Sequence, residues 1–266
     1  MAPEPLEPFS DATLAQCQAQ LAAEGYVVLP GILSPSRRQA LIEHITESMT
    51  PLVEPVEFEA DVGYPGAPKS RQAPGGTTPR RLLQAYARSE QLRSLAAEPR
   101  VAQLLNVLLD GQVCLSQCHH NCVMTKYPGY SSATLWHQDV RYWSFQKPEL
   151  ISVWYALGDE TQENGALQVI PGTHLMHVDA SRLDSELFLR PDLAENQALI
   201  DAAQTVNLNA GDALAFHCRL FHAAGRNESD AVKLSPVFTY HRQDNLPLAQ
   251  TRSDRLPSIE IGASER

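Results

Sequence analysis

"NAGDALAFHCRLFHAAGRNESDAVKLSPVFTYHR", residues 209–242, contains two short apolar runs, "ALAFH" and "KLSPVFTYH", held apart by a turn rich in Gly, Arg, Asn and Ser. Runs of this length, bounded by turn residues, read as strands. Others share the form: "QVCLSQCHHNCVMTKYP" (112–128), "TLWHQD" (134–139), "ISVWYALGD" (151–159) and "GALQVIPGTH" (165–174). Many short strands at close spacing are the pattern of a double-sheet roll or barrel. Only one helical interruption, at about residues 180–203, is expected among them.

Upstream the period changes. "DATLAQCQAQLAAEG" predicts a helix capped by Asp11 and stopped at Gly25, followed by a strand in "YVVLP". A second helix, "SRRQALIEHITESM", starts at Ser34 or Ser36 with Leu41, Ile42 and Ile45 as its apolar stripe. Residues 50–80, rich in Gly and Pro, show no periodicity and read as a long loop and a candidate lid. Helical pattern returns in "RRLLQAYARSEQLRSLAAEPRVAQLLNVLLDG" (80–111), broken at Pro99. The expectation is one domain over 1–266, α+β in class. A helical part covers about 1–110 and a jelly-roll core about 111–245.

Composition narrows the function. With 21 basic against 31 acidic residues, the net charge is −10, which argues against a nucleic-acid surface or an anionic-membrane contact. No stretch reads as a signal peptide or a membrane span, and the five cysteines are odd in number, so a reducing cytoplasm is expected. Cys114, Cys118 and Cys122 beside His119 and His120 lack the paired C-x2-C spacing of a zinc site and read as structural.

The chemistry begins at "LWHQD". His137 and Asp139 are two apart, so in an extended chain both project to one side, about 6 to 7 Å apart. Together they can reach one metal ion. A third ligand comes from the opening stretch, as His217 or His222, and two histidines with one carboxylate form the set used by non-heme iron oxygenases.

Five blocks in order, "GYVVLPGIL", "LWHQD", "ENGALQVIPGTH", "GDALAFH" and "FHAAGRNES", resemble the phytanoyl-CoA dioxygenase family of Fe(II)- and 2-oxoglutarate-dependent oxygenases. The resemblance implies a double-stranded β-helix, the jelly-roll or cupin-like core, with flanking N-terminal helices. It also implies Fe(II) held by His137, Asp139 and His222, with His217 outside the ligand set. Further implied are 2-oxoglutarate as cosubstrate, O2, a small-molecule substrate hydroxylated at an unactivated C–H, and release of succinate and CO2. An aspartate at 139 favours hydroxylation, since halogenating relatives carry a small residue there.

The family places an arginine eleven residues beyond the distal histidine to hold the far carboxylate of 2-oxoglutarate. Here that position is Lys233, a departure that keeps the charge and loses the bidentate fork. Ser235 is expected to assist it, with Arg226 or Arg219 as substitutes, and Trp154 and Thr134 to line the cosubstrate pocket. Lys126, Arg141 and Arg81 are candidate substrate contacts. His174, Gly165 and Gly172 read as structural. A monomer or homodimer is expected. The competing reading, supported by the Lys233 departure, is a non-catalytic jelly-roll protein binding a small acid or metal.

Overall fold

The computed structural model describes residues 7–262. Twelve strands run β1 Tyr26–Leu29, β2 Val56–Phe58, β3 Pro79–Leu83, β4 Val113–Lys126, β5 Thr134–His137, β6 Leu150–Tyr155, β7 Leu167–Val169, β8 Gln204–Thr205, β9 Ala213–His217, β10 His222–Ala224, β11 Lys233–Arg242 and β12 Ile259–Glu260. They form two antiparallel sheets. The major sheet follows the order β1-β9-β6-β11-β4-β3-β2, with β12 added on β4, and the minor sheet the order β5-β10-β7-β8.

Alternation along the central strands explains the layering. On β6, Ile151, Val153 and Tyr155 join a core shared with the N-terminal helices, while Trp154 faces the minor sheet. On β9, Ala213 and Ala215 face the helices, and Leu214 and Phe216 face inward. The major sheet is therefore buried on both faces, and every residue of β6 is buried. The helical layer comprises α1 Asp11–Glu24, α2 Pro35–Glu47, α3 Ala85–Arg88, α4 Glu90–Ala96 and α5 Pro99–Leu108. A short α6, Ala194–Ile200, lies in the interruption between early and late strands.

Local signals differ from expectation in small ways. Ser10, not Asp11, caps α1, its hydroxyl accepting the Thr13 N–H, and Asp11 follows as the acidic residue of the first turn. Ser34 caps α2. Gly25 ends α1 in the left-handed region, where a Cβ would lie 2.6 Å from His174 Nδ1, so both backbone and space require glycine.

Two larger differences bear on function. Residues 79–83 form strand β3, although their Arg/Leu pattern suggested helix. Pairing with β4 places Arg81 opposite Met124, so tertiary contact overrides propensity. The expected loop of 50–80 contains strand β2, paired with β3, and is tied down by the Arg71–Asp61 ion pair. No helix among the described residues is long and apolar enough to cross a membrane.

Candidate metal and cosubstrate site

His137 ends β5, and His222 begins β10 directly opposite it in register, with ring centroids 4.3 Å apart. Just beyond β5 the chain turns into a 3-10 helix, Asp139–Tyr142, which brings the Asp139 carboxylate under both imidazoles. Its Oδ1 lies 3.5 Å from His137 Nε2 and 3.5 Å from His222 Nε2. Ligand atoms of the three side chains all fall within 4.8 Å of one another.

Hydrogen bonds fix which nitrogen faces the cluster. His137 Nδ1 donates to the Leu135 carbonyl at 2.8 Å and His222 Nδ1 to the Leu220 carbonyl at 3.1 Å. Each ring thus turns a lone pair on Nε2 toward Asp139, the outer-shell arrangement of metal-bound histidine. Asp139 is fully buried, yet neither of its oxygens has a hydrogen-bond partner. A buried carboxylate so placed is costly unless a cation meets it, and two neutral imidazoles with one carboxylate suit Fe(II). Burial would lift the Asp139 carboxyl, but the surrounding imidazoles of His120, His222 and His137 hold it below the ordinary carboxylate range. Burial drives the His222 imidazole down to about 4, which keeps it neutral and free to ligate. His217 lies elsewhere, its Nδ1 accepting the Arg219 N–H and its ring beside His174.

A cavity of about 250 Å³ opens between the sheets at this cluster. His137, His222, Trp154, Thr134, Lys126 and Arg81, all expected site residues, line it. Arg141 does not. Its guanidinium packs over the rings of Phe188 and Tyr142.

Lys233 and Ser235 are also outside the lining. Lys233 Nζ donates to Glu160 Oε2 at 2.8 Å and to the Gly165 carbonyl at 2.9 Å, while Ser235 Oγ and Trp154 Nε1 donate to Glu160 Oε1 at 2.6 and 2.8 Å. Glu160 is only 1% exposed. The expected anchor is thus already matched by a buried carboxylate, one layer behind Trp154, because β11 points it toward a residue that no sequence pattern marked. Lys126, on the strand paired with Lys233, reaches the cavity with only carbonyl partners, Ser132 and Gly225. Burial, then the Lys233 ammonium and the Arg80 guanidinium, lower its ammonium to about 7.

Sequence reading missed other lining residues: Glu57, Tyr64, Tyr142, Arg252 and the active placement of His119 and His120. A histidine pair inside an apolar strand run was the one available signal. Burial brings His120 down to about 4, and its Nδ1 is 3.3 Å from Asp139 Oδ2.

Comparison with known proteins agrees with this geometry. Residues 21–235 match the family model described as phytanoyl-CoA dioxygenase (PhyH). The chain belongs to the phytanoyl-CoA dioxygenase family. Relatives include an L-proline trans-4-hydroxylase of Streptomyces griseoviridis, 26% identical over 93% of this chain and 93% of that protein. Another is an ectoine dioxygenase of Sphingopyxis alaskensis, 24% identical over 89% and 78%. The fold is that of the 2-oxoglutarate-dependent epimerase SnoN from nogalamycin biosynthesis, with a TM-score of 0.73, 24% identity and coverage of 97% and 93%. It is also that of EctD from S. alaskensis with 2-oxoglutarate and 5-hydroxyectoine, with a TM-score of 0.71, 19% identity and coverage of 93% and 80%. Family, jelly-roll fold and metal-ligand set are those expected of an iron- and 2-oxoglutarate-dependent dioxygenase.

Proposed function

We infer that this phytanoyl-CoA dioxygenase family member hydroxylates an unactivated C–H of a small molecule in the cytoplasm, as a monomer or homodimer, with release of succinate and CO2. The observation that carries the reading is the buried, unpaired Asp139 carboxylate facing two histidines whose Nε2 atoms are turned toward it. Five free thiols, none in a disulfide, suit a reducing compartment.

His137, Asp139 and His222 would hold Fe(II). With 2-oxoglutarate and O2, that ion supplies an oxidant strong enough for C–H hydroxylation, and the protein orients and shields it. The chain's own part is positional. Leu135 and Leu220 carbonyls lock the two imidazoles. Trp154 and Phe216 supply apolar wall to the cavity.

Lys126 is the proposed partner for the far carboxylate of 2-oxoglutarate. It lines the cavity and is buried, with no carboxylate partner among the described residues, and a buried ammonium meeting a carboxylate forms a strong charge-assisted bond. The pair Lys233–Glu160 serves behind it to hold Trp154 in place.

Two measurements test the function. Anaerobic addition of Fe(II) and 2-oxoglutarate should produce a visible charge-transfer band, and admission of O2 should yield succinate. His222→Ala should lose both and Asp139→Gly the hydroxylated product, while His217→Ala retains the band. A metal-free response of the parent protein, a band that survives His222→Ala, or unchanged hydroxylation in Asp139→Gly would sink the assignment. Succinate formation also separates an enzyme from a non-catalytic binder.

A further inference from the structure

Strand β4 does not run evenly along β11. Ser116 pairs with Thr239 and Asn121 with the adjacent Phe238, so Gln117 to His120 are extruded from the ladder. His119 adopts a left-handed backbone, with φ of 63°, an uncommon conformation for a residue with a Cβ and one that recurs at functional sites. The extruded segment is held in place. His119 stacks on Tyr142 at 3.6 Å between centroids and on His120 at 4.5 Å, and Trp143 Nε1 donates to the Cys118 carbonyl. It turns two imidazoles into the cavity.

Over this segment lies a 3-10 turn, Arg252–Asp254, near the C-terminal end of the chain. Arg252 lines the cavity, with its Nη2 3.5 Å from His119 Nδ1. Arg81 Nη1 is 3.3 Å from the same Nδ1. Residue 252 lies outside the stretch that matches the family model, which ends at 235.

Charge matching distinguishes the cavity's cations. Arg80 and Arg81 both pair with Glu57, and the buried Glu59 also acts on Arg80. Lys126 and Arg252 are the lining cations with no carboxylate within ion-pair reach among the described residues. On the reading above, Lys126 takes the far carboxylate of 2-oxoglutarate. One cation is then unmatched, Arg252, an exposed residue at the edge of the cavity on the β4-bulge side, with His119 and Tyr142.

We propose that Arg252, backed by Arg81 and the extruded His119, forms the binding site for an anionic group on the prime substrate, and that this substrate is a small carboxylic acid. The inference rests on the assignment of Fe(II) and 2-oxoglutarate to this cavity. Size supports it. Pockets that enclose drug-sized ligands span about 300 to 1,000 Å³, whereas this one is about 250 Å³ and must also admit the cosubstrate. A guanidinium suits a planar carboxylate, which it can meet with two parallel N–H bonds. Held by one end at Arg252, such an acid would present a carbon chain toward the metal cluster past Tyr142.

The test uses the whole protein, anaerobic, with Fe(II) and 2-oxoglutarate bound, and reads the charge-transfer band as small acids are added. The probes are L-proline, L-pipecolate, ectoine and hippurate, each against its neutral amide or methyl ester. At least one acid should perturb the band saturably, and its neutral partner should bind at least about tenfold more weakly. Arg252→Gln should raise that acid's midpoint about three- to fivefold while the 2-oxoglutarate midpoint stays in place, and Arg252→Lys should restore part of the loss. Equal binding of acid and amide, an unchanged midpoint in Arg252→Gln, or a normal band that no acid perturbs would each overturn the proposal. Absence of the band itself would instead reject the underlying iron and 2-oxoglutarate assignment.

Discussion

Lys126 and Lys233 occupy facing positions on paired strands, yet their surroundings give them different work. Lys233 is bonded to a carboxylate that is itself almost wholly buried. Replacing it with Met leaves Glu160 without a countercharge, which costs about 3 to 5 kcal/mol, so Lys233→Met should lower the melting temperature more than it weakens 2-oxoglutarate binding. Lys126→Met should do the reverse, raising the 2-oxoglutarate midpoint at least about tenfold. The pH dependence follows from the same lysine. Burial brings its ammonium down to about 7. Below that pH the group is charged and can meet a carboxylate; above it the charge is lost. Affinity for 2-oxoglutarate should therefore fall as pH rises from 6.5 to 8.5, and Lys126→Arg should flatten the profile. A flat profile in the parent protein would place the cosubstrate anchor elsewhere.

At the level of elements, the β4 extrusion separates folding from specificity. Gln117 to His120 is an even number of residues, and side-chain facing along a strand has period two. Val113 and Leu115 before the extrusion and Val123 after it consequently all reach the helix-side core. Deleting residues 117–120 should leave that facing intact and give a folded protein, with loss of acid binding and retention of the charge-transfer band. Deleting His119 alone shifts the register by one and drives core residues to the wrong face. That variant should lose cooperative unfolding. Equal stability of the two deletions, measured by calorimetry, would show that the extrusion is not in register with the core.

For the whole molecule, the cluster sits where the two sheets face each other, with both histidines from the minor sheet, Asp139 from the 3-10 helix after β5, and cavity walls such as Trp154 and Phe216 from the major sheet. Anything that binds there joins the layers. Fe(II) and 2-oxoglutarate at a hundredfold excess over their dissociation constants should each stabilise the folded state by about 2.7 kcal/mol. For a chain of this size, at roughly 2 to 4 °C per kcal/mol, the pair should raise the melting temperature by about 10 to 20 °C, and a chelator should reverse it. His222→Ala should show no iron-dependent rise.

What the sequence by itself determined was local or ordered along the chain: short turn-bounded strands, helix stops such as Gly25, and the H-x-D pair whose spacing alone puts two side chains on one side. His222 was legible because its block stands in family order. Lys126, Trp154, Thr134 and Arg81 were legible as candidates. What only the tertiary structure decided depended on partners distant in sequence. Glu160 lies 73 residues from Lys233 and takes its charge. Residues 79–83 became a strand because β4 offered an open edge. Arg252 comes to His119 across 133 residues. Electrostatic pairing and strand pairing are set by distance in space, and a one-dimensional pattern carries no term for a carboxylate or a guanidinium that arrives from another strand.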